Sequence, residues 1–173
     1  MGSSEFSSDT IVQNEGIDSV RKKFCCNKEK NDKNKEKNDK NKEKNDKGCE
    51  ESHIRLETLN WIYKYSNCHR IIELEFHCSK CHSDYYVLMD KTYYKDEKIG
   101  ICSYKGKKNI EMRKVDFKND HYQIYSYDAK KKNISYDHCL NVFNNIDPGY
   151  YNFATNNCKD FAYKLKNKIL NNK

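Results

Sequence analysis

Proline and tryptophan are nearly absent, one of each in 173 residues, and glycine occurs six times. That composition excludes collagen-like chains and proline- or glycine-rich linkers. No apolar run approaches the roughly 18–20 residues that a bilayer-spanning helix needs, and the mean hydropathy is −1.14. The opening residues are polar and hold no apolar stretch of about 7–15 residues such as a secretory leader carries. A cytoplasmic protein is the expectation. Neither sign of charge is scarce: 33 Lys and Arg against 26 Asp and Glu leave a net charge of +7.

Apolar residues are also missing from 27–47, where the heptad NKEKNDK is repeated three times without change. A coiled coil needs apolar residues at its a and d positions, and these repeats supply none. The expected reading is a disordered tail over residues 1–47, solvated by charges of both signs. Residues 48–173 then carry a net charge of +5. This is mildly basic and gives no strong nucleic-acid signal. The 14 tyrosines could stack on single-stranded RNA, but tyrosine equally suits strands. The stretch has the usual size of one folded domain.

Within that domain, short runs enriched in Ile, Val, Tyr and Phe predict strands at Ile71 to Phe76, Tyr85 to Met89, Ile99 to Tyr104, Ile110 to Phe117 and Tyr122 to Tyr127. Residues 53–65 fit a strand at Ile54 and Leu56 and a helix at Leu59, Ile62 and Tyr63. After Asn133 the period lengthens. Ser135 is a good N-cap, and Tyr136, Leu140 and Phe143 lie on one helical face that ends before Pro148-Gly149. A second helix should start at Asn156-Asn157 and bury Phe161, Ala162, Leu165 and Ile169. The fold class is α+β, an antiparallel meander sheet packed against two C-terminal helices.

Nine cysteines are an odd number, and in a reducing compartment they serve as free thiols, metal ligands or nucleophiles. Cys158 falls in the first turn of the second predicted helix. There, backbone N–H groups without helical partners and the positive end of the helix dipole favour a thiolate. It also shares the face of Phe161, Ala162 and Leu165, and so packing as a small buried hydrophobe is the competing reading.

The segment from Tyr151 through Asn157-Cys158 to Phe161 resembles the Y-x-L-x-x-x-N-C-x-x-F signature of lecithin retinol acyltransferase-like proteins, which are permuted relatives of papain-like and NlpC-type thiol enzymes. Residues 121–169 fall within the resemblance. It implies a permuted papain-like fold, an acyl-thioester on Cys158, and a helix cap at Asn157 beside the oxyanion. It also implies a general base at the start of an upstream strand, for which His69, in His69-Arg70-Ile71-Ile72-Glu73-Leu74, is the nearest counterpart. Where the family commonly has N-C-E-H-F, this chain reads Asn157-Cys158-Lys159-Asp160-Phe161. His82 and His77 are the candidates for the third polar group that orients the imidazole. The implied activity is a cysteine-dependent acyltransferase or hydrolase with a lipid or other acyl substrate, no obligatory cofactor, and an acceptor left open. The alternative is an inactive interaction module of the same fold.

His77-Cys78-Ser79-Lys80-Cys81-His82 holds one C-x-x-C between two histidines. Cys78 and Cys81 could chelate zinc from a hairpin tip, with Cys68, Cys102 or a flanking histidine completing four ligands. Two free thiols or a reducible disulfide is the plainer alternative. Near the N-terminus, Gly2 to Phe6 misses the myristoylation pattern at Phe6. Cys25 and Cys26, after Arg21-Lys22-Lys23-Phe24, could take palmitate and make membrane contact, although stable anchoring needs two signals.

Overall fold

Alternation of apolar and polar side chains is enough to build most of the sheet. The computed structural model describes residues 16–24, 51–64, 68–113 and 122–171. Six strands form one antiparallel sheet: β1 Ile54–Lys64, β2 His69–Cys78, β3 Asp84–Gly100, β4 Ser103–Arg113, β5 Tyr122–Asp128 and β6 Tyr150–Asn152. Their order across the sheet is β5-β1-β2-β3-β4-β6, so a four-strand meander is flanked by β5 beside β1 and β6 beside β4.

The ambiguous 53–65 segment is strand from Ile54 to Lys64. A bulge between Leu56 and Thr58 shifts the alternation and produces the helix-like spacing read from the sequence. One expected strand is corrected. Ile99 to Tyr104 straddles the β3–β4 turn at Ile101 and Cys102, and Ile101 is 91% exposed. Its apolar residues belong to a solvent-facing hairpin tip rather than to a half-buried strand. The run at Ile110 ends as strand at Arg113, and the residues up to Phe117 lie outside those described.

Helices α2 Tyr136–Asn145 and α3 Cys158–Leu170 cover one face of the sheet. Ser135 caps α2 by accepting from the His138 backbone N–H at 3.1 Å. Leu140, Phe143, Phe161, Ala162, Leu165 and Ile169 are buried against Leu59, Ile72, Leu74, Val87, Met89 and Ile110. Each large side chain buried in this way contributes about 1.5–3 kcal/mol.

The domain boundary also needs correction. Residues 17–23, expected within the disordered tail, form helix α1 Ile17–Lys23, and Val20 and Phe24 are wholly buried. Phe24 packs edge-on against Phe76 at 5.2 Å and stacks on Tyr136 at 4.4 Å. Arg21 clamps α1 to α2, with Nε 2.9 Å and Nη2 2.7 Å from Asp137 Oδ1. The heptads at 27–47 and the candidate lipidation residues Cys25 and Cys26 lie outside the described residues. Among the described residues, no helix is long and apolar enough to cross a membrane.

The segment leading into α3 is drawn tightly against the sheet. Gly106 on β4 donates its N–H to Gly149 O at 2.9 Å. A Cβ at position 106 would lie 2.5 Å from Gly149 O and 2.8 Å from Pro148 O, so only glycine permits this approach.

Candidate active site

Cys158 owes its position to a capping box. Asn157 has extended backbone, and its Oδ1 accepts from the N–H groups of Lys159 at 2.9 Å and Asp160 at 3.3 Å. Asp160 Oδ2 reciprocates by accepting from the Asn157 N–H at 3.2 Å. Helix α3 therefore starts at Cys158 and places the sulfur at the positive end of a 13-residue helix. The Asn157 side chain also donates from Nδ2 to Phe153 O at 3.1 Å. Asn157 is thus committed to holding the helix start.

The sheet meets the sulfur at the beginning of β2. Cys68 has a left-handed backbone, φ 53°, an uncommon conformation for a residue with a side chain. Its carbonyl oxygen lies 3.9 Å from Cys158 Sγ and can accept from the neutral thiol. The His69 ring, the Arg70 backbone N–H and the Tyr151 hydroxyl are the neighbouring groups that favour the ionised sulfur. His69 Nε2 lies 2.7 Å from Asp90 Oδ2, which leaves Nδ1 as the ring nitrogen for Cys158. Because Ile71 pairs with Asp90 across β2 and β3, Asp90 stands diagonally opposite His69. Asp90 is fixed in turn by Asn109 Nδ2, which donates to Oδ1 at 2.7 Å and to Thr92 Oγ1 at 2.9 Å.

The electrostatics follow from these contacts. Burial opposes ionisation of Cys158, but the His69 hydrogen bond and charge, the Arg70 N–H and the Tyr151 hydroxyl together bring its pKa below the ordinary thiol value. Burial likewise opposes a charged His69, and the hydrogen bonds and charges of Asp90 and Cys158 overcome it, raising the imidazole to about 9. A lowered thiol beside a raised imidazole favours passing the thiol proton to the imidazole. Cys158 is 5% exposed, and the groups around its sulfur are polar.

Two contributors have no obvious sequence signal as site residues. Lys91 is 1% exposed, an unusual position for lysine. Its Nζ donates to Tyr150 O at 2.9 Å, Asn156 Oδ1 at 3.0 Å and Asn156 O at 3.2 Å, pinning both ends of the turn that precedes Cys158. Burial, and then the charge of Lys164, lower its pKa to about 8 against the opposing pull of Asp160, Asp147 and Cys158. Tyr151 packs against Tyr93 at 5.0 Å and Phe153 at 5.4 Å. Burial and the neighbouring sulfur raise its phenol, so it remains a neutral donor to Cys158.

The structure places Cys158, His69 and Asn157 in one neighbourhood, whereas His77 and His82 lie elsewhere. His77 is eight residues further along β2, roughly 26 Å from His69 at about 3.3 Å per residue, with Nδ1 2.7 Å from Asp84 Oδ1. His82 sits in the adjoining turn with its ring 6.0 Å from that of His77. Asp90 occupies the orienting position instead.

The metal expectation is also corrected. Cys78 is wholly buried in the core, and Cys81 lies in the turn with Sγ 4.0 Å from the Tyr85 hydroxyl. Cys68 begins the opposite end of β2, and Cys102 is in the β3–β4 turn. Among the described residues no group of three or more His, Cys, Asp or Glu side chains could hold a metal ion.

No protein-family model, curated protein or solved structure matches this chain. The chemistry is consequently read from the site itself: a buried thiol whose ionisation its neighbours favour, an imidazole that can take up and return a proton, and a carboxylate that fixes the imidazole.

Proposed function

We propose that this protein is a cysteine-dependent acyltransferase or hydrolase of permuted papain-like architecture, acting through an acyl-thioester on Cys158. The observation that carries this reading is that Cys158 Sγ lies 3.9 Å from the carbonyl of Cys68, the residue just before His69, while His69 Nε2 lies 2.7 Å from Asp90 Oδ2. The order of the parts also supports it: histidine at a strand start, acid on the next strand, and cysteine opening a later helix.

The Cys158 thiolate attacks an acyl carbonyl, forming the C–S bond while the carbonyl electrons move to oxygen. The Lys159 and Asp160 amides are occupied by the Asn157 cap, so the backbone N–H of Cys158 at the helix start is the donor assigned to that oxyanion. Collapse of the tetrahedral species expels the leaving group, which takes its proton from His69. His69 then accepts a proton from water or another acceptor as that nucleophile attacks the thioester and restores the thiolate. Asp90 keeps the imidazole oriented and stabilises its charged form.

Exposure to p-nitrophenyl acetate followed by intact-mass measurement tests the reading. One acetyl group on Cys158, removable by neutral hydroxylamine and strongly reduced in His69→Ala, is the expected result. A Cys158 that stays unmodified while surface lysines are acetylated would contradict it.

A further inference from the structure

We infer that the cavity beside Cys158 binds the acyl donor through an anionic group, which rests on the thiol-enzyme reading above. This cavity, of about 380 Å³, lies between the β5–β1–β2 edge of the sheet and the start of α3. Trp61 pairs with Tyr125, Leu59 with Tyr127, and Tyr63 with Arg70, so these side chains share one sheet face. Trp61, Tyr63, Tyr125 and Tyr127 give the cavity aromatic walls, while Arg70 and Lys159 add positive charge. No Asp or Glu is among the described residues lining it.

Further positive charge stands at the wall. Lys166 Nζ lies 4.6 Å from the Tyr127 ring centre and 5.4 Å from that of Trp61. The Arg70 guanidinium lies 3.4 Å from the Tyr63 ring centre, and its Nη1 has no hydrogen-bond partner among the described residues. A buried donor without an acceptor is costly. A small swing of the guanidinium toward a carboxylate or phosphate would satisfy it with a charge-assisted bond.

Two of the lining residues, Arg70 and Lys159, are the chain neighbours of His69 and Cys158. The Arg70 backbone N–H is also one of the groups that favour the ionised Cys158 sulfur. A substrate held there by its anion, with planar or apolar parts against the tyrosines, would have its carbonyl within reach of the sulfur. The ligand class is an anionic acyl compound with an aromatic or other apolar body.

Affinity alkylation of the full chain tests this. The probes are 4-(bromoacetamido)benzoate and its uncharged benzamide analogue, with iodoacetamide as a measure of the thiolate alone. Each bromoacetyl probe forms a C–S bond to Cys158 as bromide leaves with the C–Br electrons. The benzoate should modify Cys158 at least about tenfold faster than the benzamide, the increment of one charge-assisted bond. Arg70→Gln should abolish most of that preference, and Lys159→Gln, at an exposed helical position, should reduce it if Arg70→Gln fails to fold. Equal rates for the two probes, or a preference that survives both substitutions, would overturn the anion site while leaving the thiol chemistry intact. Iodoacetamide reacting with Cys158 no faster than with an ordinary cysteine would instead overturn the reading on which the site rests.

Discussion

His69 Nε2 and Asp90 Oδ2 are 2.7 Å apart, although 21 residues separate them in the chain. The contact holds the imidazole by one nitrogen and directs the other to Cys158. It also makes the protonation of two groups interdependent, with consequences for stability as well as reactivity.

The pH dependence of folding distinguishes the pair from its parts. His69, raised from 6.5 to about 9, contributes stability fully present below pH 6.5 and lost as pH rises through 9. Cys158, lowered by its partners, contributes stability present above its unfolded value of about 8.5 and lost as pH falls through its folded value. Wherever the folded pair carries its proton on histidine and the unfolded chain carries it on cysteine, the two slopes oppose each other. The urea midpoint of the native chain should therefore fall less steeply from pH 6.5 to about 8.5 than the His69 shift alone would make it. Cys158→Ser removes the opposing slope and leaves the part of the His69 shift that Asp90 supplies, so its urea midpoint should fall more steeply across the same interval.

The helix cap makes a separable contribution. Asn157→Ala removes the acceptor for two α3 amides and should destabilise the protein by about 1 kcal/mol. It should also slow Cys158 alkylation at neutral pH. Asn157→Asp keeps the acceptor but loses the Nδ2 donor to Phe153 O and sets a carboxylate beside Cys158, so it should recover more of the stability than of the reactivity, as measured by urea unfolding and peptide mapping of alkylated Cys158.

Lys91→Met tests the buried lysine. The substitution leaves Tyr150 O and both oxygens of Asn156 without their Nζ donor. Tyr150 O keeps the Asn156 Nδ2 donor and Asn156 O keeps the Asn152 N–H, so a loss of about 1–2 kcal/mol is expected, chiefly from Asn156 Oδ1. Hydrogen exchange should show the larger increase at residues 150–157 rather than in the central strands.

Phe24→Ala should cost about 3–5 kcal/mol, the range for deleting a buried aromatic ring. The side chain is wholly buried against Phe76 and Tyr136. An unchanged thermal midpoint would show that α1 is dispensable to the fold.

How much was legible in the sequence follows from the range of the interactions involved. Ser135 and Asn157 were readable as caps because a cap acts on amides two or three residues away. The stripe from Phe161 to Ile169 was readable because helical period and burial coincide. Asp90 was not, since its role depends on the β2–β3 register, and histidines closer to a cysteine motif drew attention to His77 and His82. Lys91 carried no signal because lysine is ordinarily exposed. Helix α1 was hidden by its polar surroundings: within residues 17–24 only Ile17, Val20 and Phe24 are large and apolar, too short a pattern to stand out beside the repeats.

The most direct measurement is the pH dependence of Cys158 alkylation by iodoacetamide, followed by peptide mapping. The wild-type rate should rise with an apparent pKa well below the ordinary value of about 8.5. His69→Gln should move it to that value or above, since burial of the sulfur then stands without its main counterweight. A wild-type Cys158 that titrates at or above the ordinary value, unaffected by loss of His69, would contradict the account.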